Sequence, residues 1–297
     1  MLINSIREEW LNRYQGKTRK QAKTSLNAFD LFVNANHEGK EEIIFNNCKS
    51  NEDAKYIILD NLVQYWYSAL ELWPTTIRNY FSFIRAYFRR NGIKTDEGDI
   101  KDYVKFPKHI EETREPLTVD EIKNIISVSN KKYIALWYFQ TSSGMRIGET
   151  LEARVNWLDY TFYDQYDLII VKIPAYVTKG KRERFTFITR QAYQSLKPYL
   201  DTKLTPTARV FDISYGSVEE YFQEIRDRLD MKEKYTTGFY KKNIHSFRSF
   251  AETTITDHSN PEFSHFLLGH RGYLKYYRKS YEDSAKLYKT VEPFLTL

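Results

Sequence analysis

Apolar residues along the first hundred positions recur three and four apart, the spacing of one face of an α-helix. Ile6, Trp10 and Leu11 make one such stripe, and Leu26, Phe29, Phe32 and Val33 make a second. The aromatic-rich run from Ile57 to Leu72 predicts a third helix, broken at Trp73-Pro74. Thr75 or Thr76 can cap the next one. That helix spans Ile77 to Arg90, with Ile77, Tyr80, Phe81, Ile84, Tyr87 and Phe88 on its apolar stripe and Asn91-Gly92 as its stop.

The pattern changes at residues 104–116, VKFPKHIEETREP, where two prolines and mixed charge replace any apolar period. Such a stretch reads as a linker between an N-terminal domain at 1–110 and a second domain at 111–297. Thr118 with Glu121 offers a capping box that opens a new helix, and another helix is expected at 132–140. Alternating runs at Leu168–Ile173 and Phe185–Ile188 flank Thr178-Lys179-Gly180-Lys181-Arg182 and predict a small antiparallel hairpin with a basic turn. From Gln191 onward the chain reads as helices and loops. Its tail, Glu282 to Leu297, carries Ala285, Leu287, Tyr288, Val291 and Phe294 and is expected to dock on its own or a neighbouring subunit. The expected fold is therefore mainly α with a small antiparallel β-sheet, in two domains.

Composition narrows the function classes. The 297 residues suffice for two cores, and 41% hydrophobic with 28% charged residues is ordinary for a soluble globular chain. No stretch nears the roughly 18 consecutive apolar residues of a membrane span. The start, MLINSIREEW, lacks the basic and apolar segments of a signal peptide. The single cysteine, Cys48, excludes an intrachain disulfide and a cysteine-built zinc site. No membrane partner and a cytoplasmic location are expected. The formal charge of +6 is spread evenly, with 17 Lys+Arg against 14 Asp+Glu up to residue 110 and 28 against 25 after it. Net charge alone thus only hints at a polyanion, and clusters must carry that reading. Lys17, Arg19, Lys20 and Lys23 lead into the second helix. Arg78, Arg85 and Arg89 lie mostly off the apolar stripe of the fourth, and Lys181 and Arg182 sit in the hairpin turn. Each cluster suits phosphate contact; a solvated charged face is the competing reading.

Five short pieces of the second domain stand out in order: Gly144-Met145-Arg146-Ile147-Gly148-Glu149, Thr178-Lys179-Gly180-Lys181, His245-Ser246-Phe247-Arg248, Leu268-Gly269-His270 and Tyr276-Tyr277-Arg278. Singly each is weak; their order and separation make the set specific. In these pieces the sequence resembles the tyrosine recombinase (integrase) family, over essentially the whole second half and more loosely over the helical first half. The resemblance implies a helical core-binding N-terminal domain and an α+β catalytic domain. It implies Arg146, Lys179, His245, Arg248 and His270 as the catalytic set, with Glu149 as the acidic companion of Arg146. The family's tyrosine commonly lies a set distance beyond the Gly-His histidine, at a position held here by Lys279. Tyr277 is favoured as nucleophile because Arg278 follows it, with Tyr281 and then Tyr276 as alternatives.

The residue types fit the chemistry that the resemblance implies, which is cutting and rejoining of double-stranded DNA through a 3′-phosphotyrosine. Negative charge builds on the non-bridging oxygens of a crowded phosphorane, and planar guanidiniums can clamp those oxygens bidentately. A tyrosine hydroxyl is a poor nucleophile at its ordinary pKa of about 10 and needs electrostatic help and a proton acceptor. His245 suits the acceptor and His270 a hydrogen-bond donor, while Lys179 can protonate the departing 5′-oxygen. The phosphotyrosine conserves bond energy, so neither a nucleotide nor a metal is expected as cofactor. The resemblance further implies self-association, from a monomer or weak dimer in solution to a tetramer on paired DNA sites. The expected role is integration or excision of a mobile element, with an Xer-like chromosome or plasmid dimer resolvase, a type IB topoisomerase-like enzyme and a catalytically silent DNA-binding protein as alternatives.

Overall fold

In the computed structural model, residues 2–108, 111–270 and 279–297 are described. They are mainly helical, with one small antiparallel sheet, and none of their helices is long and apolar enough to cross a membrane. The chain divides into two compact units, Met1–Glu111 and Glu112–Leu297.

The first unit contains α1 (Leu2–Leu11), α2 (Gly16–Asn36), α3 (Glu41–Ser50), α4 (Ala54–Ser68), α5 (Pro74–Arg90) and α6 (Glu97–Tyr103). Its core gathers the apolar stripes of these helices around Trp10, Phe29, Trp66, Tyr87 and Phe88, all fully buried. The polar atoms carried inside find partners. Trp66 Nε1 donates to the Ala28 carbonyl and Tyr87 donates to Glu41, whose carboxylate, with that of Asp30, also accepts from Arg7. Helix α5 begins at Pro74, so the expected caps Thr75 and Thr76 lie inside it: Trp73 precedes it and makes no side-chain capping bond. The fixed φ of proline suits a first helical residue, and its missing N–H is one the helix would leave unpaired in any case.

The second unit opens with α7 (Val119–Ser127), started by the Thr118–Glu121 capping box. It is followed by α8 (Lys131–Ser143), α9 (Ile147–Leu151), a 3₁₀ turn at Val155–Trp157, β1 (Leu158–Asp159), α10 (Tyr163–Tyr166), β2 (Leu168–Ile173) and β3 (Arg184–Thr189). Then come α11 (Arg190–Leu200), α12 (Tyr215–Arg228), α13 (Ser246–His258), α14 (Pro261–Leu268) and α15 (Tyr281–Leu295). Apolar on nearly every side, α8 runs through the core, and Trp137 stacks on Phe247 of α13 with ring centroids 4.7 Å apart. β2 and β3 pair antiparallel from Leu168↔Thr189 to Ile173↔Arg184. The expected hairpin gains a third strand, since β1 pairs with β2 through Leu158↔Val171. Two residues are too short to show a period-two alternation.

Helix α15 docks on its own unit, burying Ala285, Tyr288, Val291 and Leu295 against α8, α13 and β3. Tyr288 donates to the Ser142 carbonyl, and Gln191 exchanges hydrogen bonds with the backbone of Leu297.

Candidate active site

Four elements of the second unit converge on the chain around Gly269-His270. Helix α8 ends at Gly144, whose left-handed φ of 60° turns the backbone toward Arg146. A Cβ at Gly144 would lie 2.4 Å from Leu268 Cδ2, so glycine is required there by packing as well as by φ. Arg146 is the residue before α9. Its backbone N–H donates to Glu149 Oε2 at 3.1 Å, and its Nη1 lies 3.3 Å from Glu149 Oε1. Arg184, the first residue of β3, donates to Oε2 of the same carboxylate and to the Leu267 carbonyl. Glu149 is buried. Burial alone would raise its carboxyl, but Arg184 and Arg146 outweigh that and hold it below the ordinary range. It is thus an anionic strut between two guanidiniums.

Arg248, on the first turn of α13, is buried. Its Nη1 donates to the Gly144 carbonyl at 2.7 Å and its Nη2 to the Leu268 carbonyl at 2.8 Å. The same Nη2 lies 2.9 Å from His270 Nε2. Burial, with Arg146 and Arg184 nearby, pushes Arg248 down to about 9, which leaves it charged at neutral pH. At Gly269, the left-handed residue that ends α14, an added Cβ would fall 2.6 Å from Arg184 Cδ. His270 follows directly.

Of the residues singled out in the sequence, Arg146, Glu149, Arg248 and His270 are brought together by these contacts. His245, just before α13, is lowered by desolvation and by the field of Arg114, Arg248 and Arg146. Because the residue is exposed, that field is the firmer of the two causes. Lys179, Lys181 and Arg182 are exposed on the connection between β2 and β3, which Thr178 braces through its bonds to the backbone of Ala175 and Arg182. Lys179 takes no part in the contacts that join the other four.

Tyr276 and Tyr277 lie outside the described residues. Tyr281 is the first residue of α15, where its ring meets Phe185 at 4.5 Å and Lys172 Nζ lies 5.6 Å from its centroid. Lys172 and Phe185 are register partners, and successive strand residues face opposite ways. Tyr281 therefore packs on the sheet face away from Arg184 and Glu149.

In the first unit Lys17, Lys20, Lys23, Arg78 and Arg89 are exposed. Arg19 bonds Asn12 and pairs with Glu8, Arg78 lies over the Phe106 ring, and Arg85 is tied to Thr95 and Glu97. Arg85 thus has partners inside its own unit.

The sequence reading missed Arg184, Glu252 and His265. Arg184 had a signal, the Arg182-Glu183-Arg184 run after the basic turn. Glu252 on α13 and His265 on α14 had none. They meet His270 through Glu252 Oε1 at 3.3 Å and His265 Nδ1 at 2.9 Å, both measured to His270 Nδ1. Among the described residues these three form the group able to hold a metal ion, with donor atoms within 4.8 Å of one another. The guanidiniums of Arg146, Arg184 and Arg248 oppose a dication there, and the hydrogen bonds already account for the close spacing.

Burial, Arg248, His265, Arg146 and Arg184 together push His270 down to about 4, so it is neutral at pH 7. Between its ordinary value of about 6.5 and that value, the unfolded chain binds the proton and the folded chain does not. Stability should therefore fall as pH drops through this window. Thermal melts of the wild type and of His270→Gln at pH 7 and pH 4.5 are expected to show a smaller acid loss in the variant. Equal losses would contradict the assignment.

No family model matches the chain. A sequence match is found to tyrosine recombinase XerC from two serovar strains of Leptospira interrogans, 26% identical over 192 residues. It covers 59% of this chain and 56% of those relatives, so it spans little more than half of their length. Among solved structures, the fold resembles the Tn1549 transposon integrase in complex with transposon right end DNA, with a TM-score of 0.62 at 14% identity over 95% of this chain and 96% of that one. It also resembles a lambda integrase tetramer bound to a Holliday junction, with a TM-score of 0.60 at 16% identity over 94% and 80%. For the XerH recombinase bound to its difH substrate the TM-score is 0.53 at 14% identity, over 78% and 66%.

Proposed function

We propose that this chain is a tyrosine recombinase that cuts and rejoins double-stranded DNA at specific sites by transesterification, a reading that the XerC match and the shared fold support. The observation that carries the reading is the convergence of Arg146, Arg248 and His270 at one place, with the buried Glu149 anchoring Arg146 and Arg184 beside them. A phosphodiester seated there would meet two permanent charges in fixed orientation, which is what a developing phosphorane requires.

In this reading Arg146 and Arg248 clamp the non-bridging oxygens. Tyr277 attacks phosphorus as its proton passes toward His245. Lys179 gives a proton to the 5′-oxygen as the P–O bond breaks. A 3′-phosphotyrosyl link forms as one 5′-hydroxyl leaves, so the reverse reaction needs no external energy. Backbone phosphate contacts from both units supply most of the DNA affinity, with Lys17, Arg19, Lys20, Lys23, Arg78, Arg89, Lys181 and Arg182 as the basic groups available. Two copies of the chain bind each site and four act on a pair of sites in the cytoplasm. The XerC match favours dimer resolution and the two integrase folds favour movement of a mobile element; both use this same chemistry.

Because side chains neutralise the charge, cleavage of a nicked suicide duplex is expected to proceed at an unchanged rate in EDTA with no nucleotide added. Loss of cleavage in EDTA, restored by Mg²⁺ or Zn²⁺, would contradict the mechanism.

A further inference from the structure

We propose that Glu252 and His265 are positioning residues that fix the tautomer of His270 and let it become a hydrogen-bond donor only when a phosphate arrives. This inference rests on the phosphoryl-transfer reading above. A guanidinium has donors and no acceptor, so His270 Nε2, 2.9 Å from Arg248 Nη2, must present its lone pair. A neutral imidazole then carries its proton on Nδ1. That atom faces Glu252 Oε1 at 3.3 Å and His265 Nδ1 at 2.9 Å, so its proton is shared between a carboxylate and a second imidazole. In this state His270 cannot donate from Nε2 to a phosphate oxygen, because that nitrogen is accepting from Arg248.

Donation needs a second proton, taken from solvent at Nε2, to give an imidazolium whose Nδ1–H stays on Glu252. The titratable and charged groups acting on His270 are Arg248 and Glu252 on α13, His265 on α14, Arg184 on β3, and Arg146 just before α9. Burial, together with His265 and the three guanidiniums, keeps the ring neutral in the free protein. Glu149 is already held by two of them, so Glu252 is the carboxylate left to balance an imidazolium. A phosphate bound between Arg146 and Arg248 brings negative charge that offsets the guanidinium field. His270 then charges in the complex, and its Nε2–H turns from Arg248 to the phosphate. Substrate binding itself arms the donor.

The test uses the full chain with ¹⁵N-labelled histidine. At pH 7 without ligand, long-range ¹H–¹⁵N spectra should show His270 Nε2 unprotonated and Nδ1 protonated. Adding inorganic phosphate should bring Nε2 into the protonated range as well in the wild type but not in Glu252→Gln, a variant that keeps the side chain's volume. In single-turnover cleavage, Glu252→Gln should be slower by about tenfold at neutral pH. Its rate should also begin to fall with rising pH at a lower pH than in the wild type, and Glu252→Asp should restore part of the loss. A free His270 already protonated at Nε2, a wild-type pH profile in Glu252→Gln, or metal retained on His265 and His270 would each overturn the inference. Absence of any covalent complex in the wild type would instead defeat the recombinase reading, and the spectra would still decide the tautomer.

Discussion

Tyr277→Phe is expected to bind DNA normally and to form no covalent protein–DNA complex, whereas Tyr281→Phe and Tyr276→Phe still form one. Phenylalanine keeps the ring and deletes only the hydroxyl, so folding should change little. The sequence alone kept Tyr281 in contention. Its surroundings now count against it, because its ring is seated between Phe185 and Lys172 on the sheet face away from Arg184 and Glu149. Reaching the arginines would require α15 to lose its first residue and Tyr281 to leave both contacts. Tyr281→Phe retains the ring contact with Phe185 and should cleave at close to the wild-type rate. A complex that persists in Tyr277→Phe and vanishes in Tyr281→Phe would move the nucleophile and leave the rest of the mechanism standing.

Arg146→Lys is expected to slow cleavage by at least about a hundredfold with little change in DNA affinity. In the proposed mechanism Arg146 faces one phosphate among the many that a duplex offers, so binding should scarcely depend on it. Its side chain keeps 34% exposure and, among the described residues, its guanidinium spends one nitrogen on Glu149 and has further N–H groups to offer a ligand. An ammonium cannot hold Glu149 and grip two phosphate oxygens in a plane at once. Arg248 is the poorer test of the same idea. It is buried and bonds the carbonyls of Gly144 and Leu268. Removing it strands acceptors at about 1–3 kcal/mol apiece, so a slow Arg248 variant could simply be unstable. Near wild-type cleavage by Arg146→Lys would make Arg146 a structural residue.

Periodicity made the long helices legible: the stripe of Ile77, Phe81, Ile84 and Phe88 is buried on α5, and the Thr118–Glu121 box opens α7. What escaped was short or tertiary. Helix α9 has five residues and β1 two, too few to show any period. In the tail, Ala285, Tyr288 and Val291 are buried as their spacing implied, but Leu295 takes the core position and Phe294 is 47% exposed, stacked on His258. The motifs marked Arg146, Arg248 and His270 because their order is specific. Glu252 and His265 stand 13 residues apart on different helices, and only the left-handed turn at Gly269 folds His270 back onto both. No one-dimensional pattern encodes that meeting.

The proposed mechanism is covalent chemistry at a tyrosine without metal. Its most direct test is to trap the wild-type chain on a nicked suicide duplex in EDTA, digest the adduct and identify the linked residue by peptide mass spectrometry. A phosphotyrosyl adduct on Tyr277 through the 3′-phosphate of the cut strand is expected. DNA cut without any protein adduct, or an adduct on a residue other than a tyrosine, would contradict the mechanism.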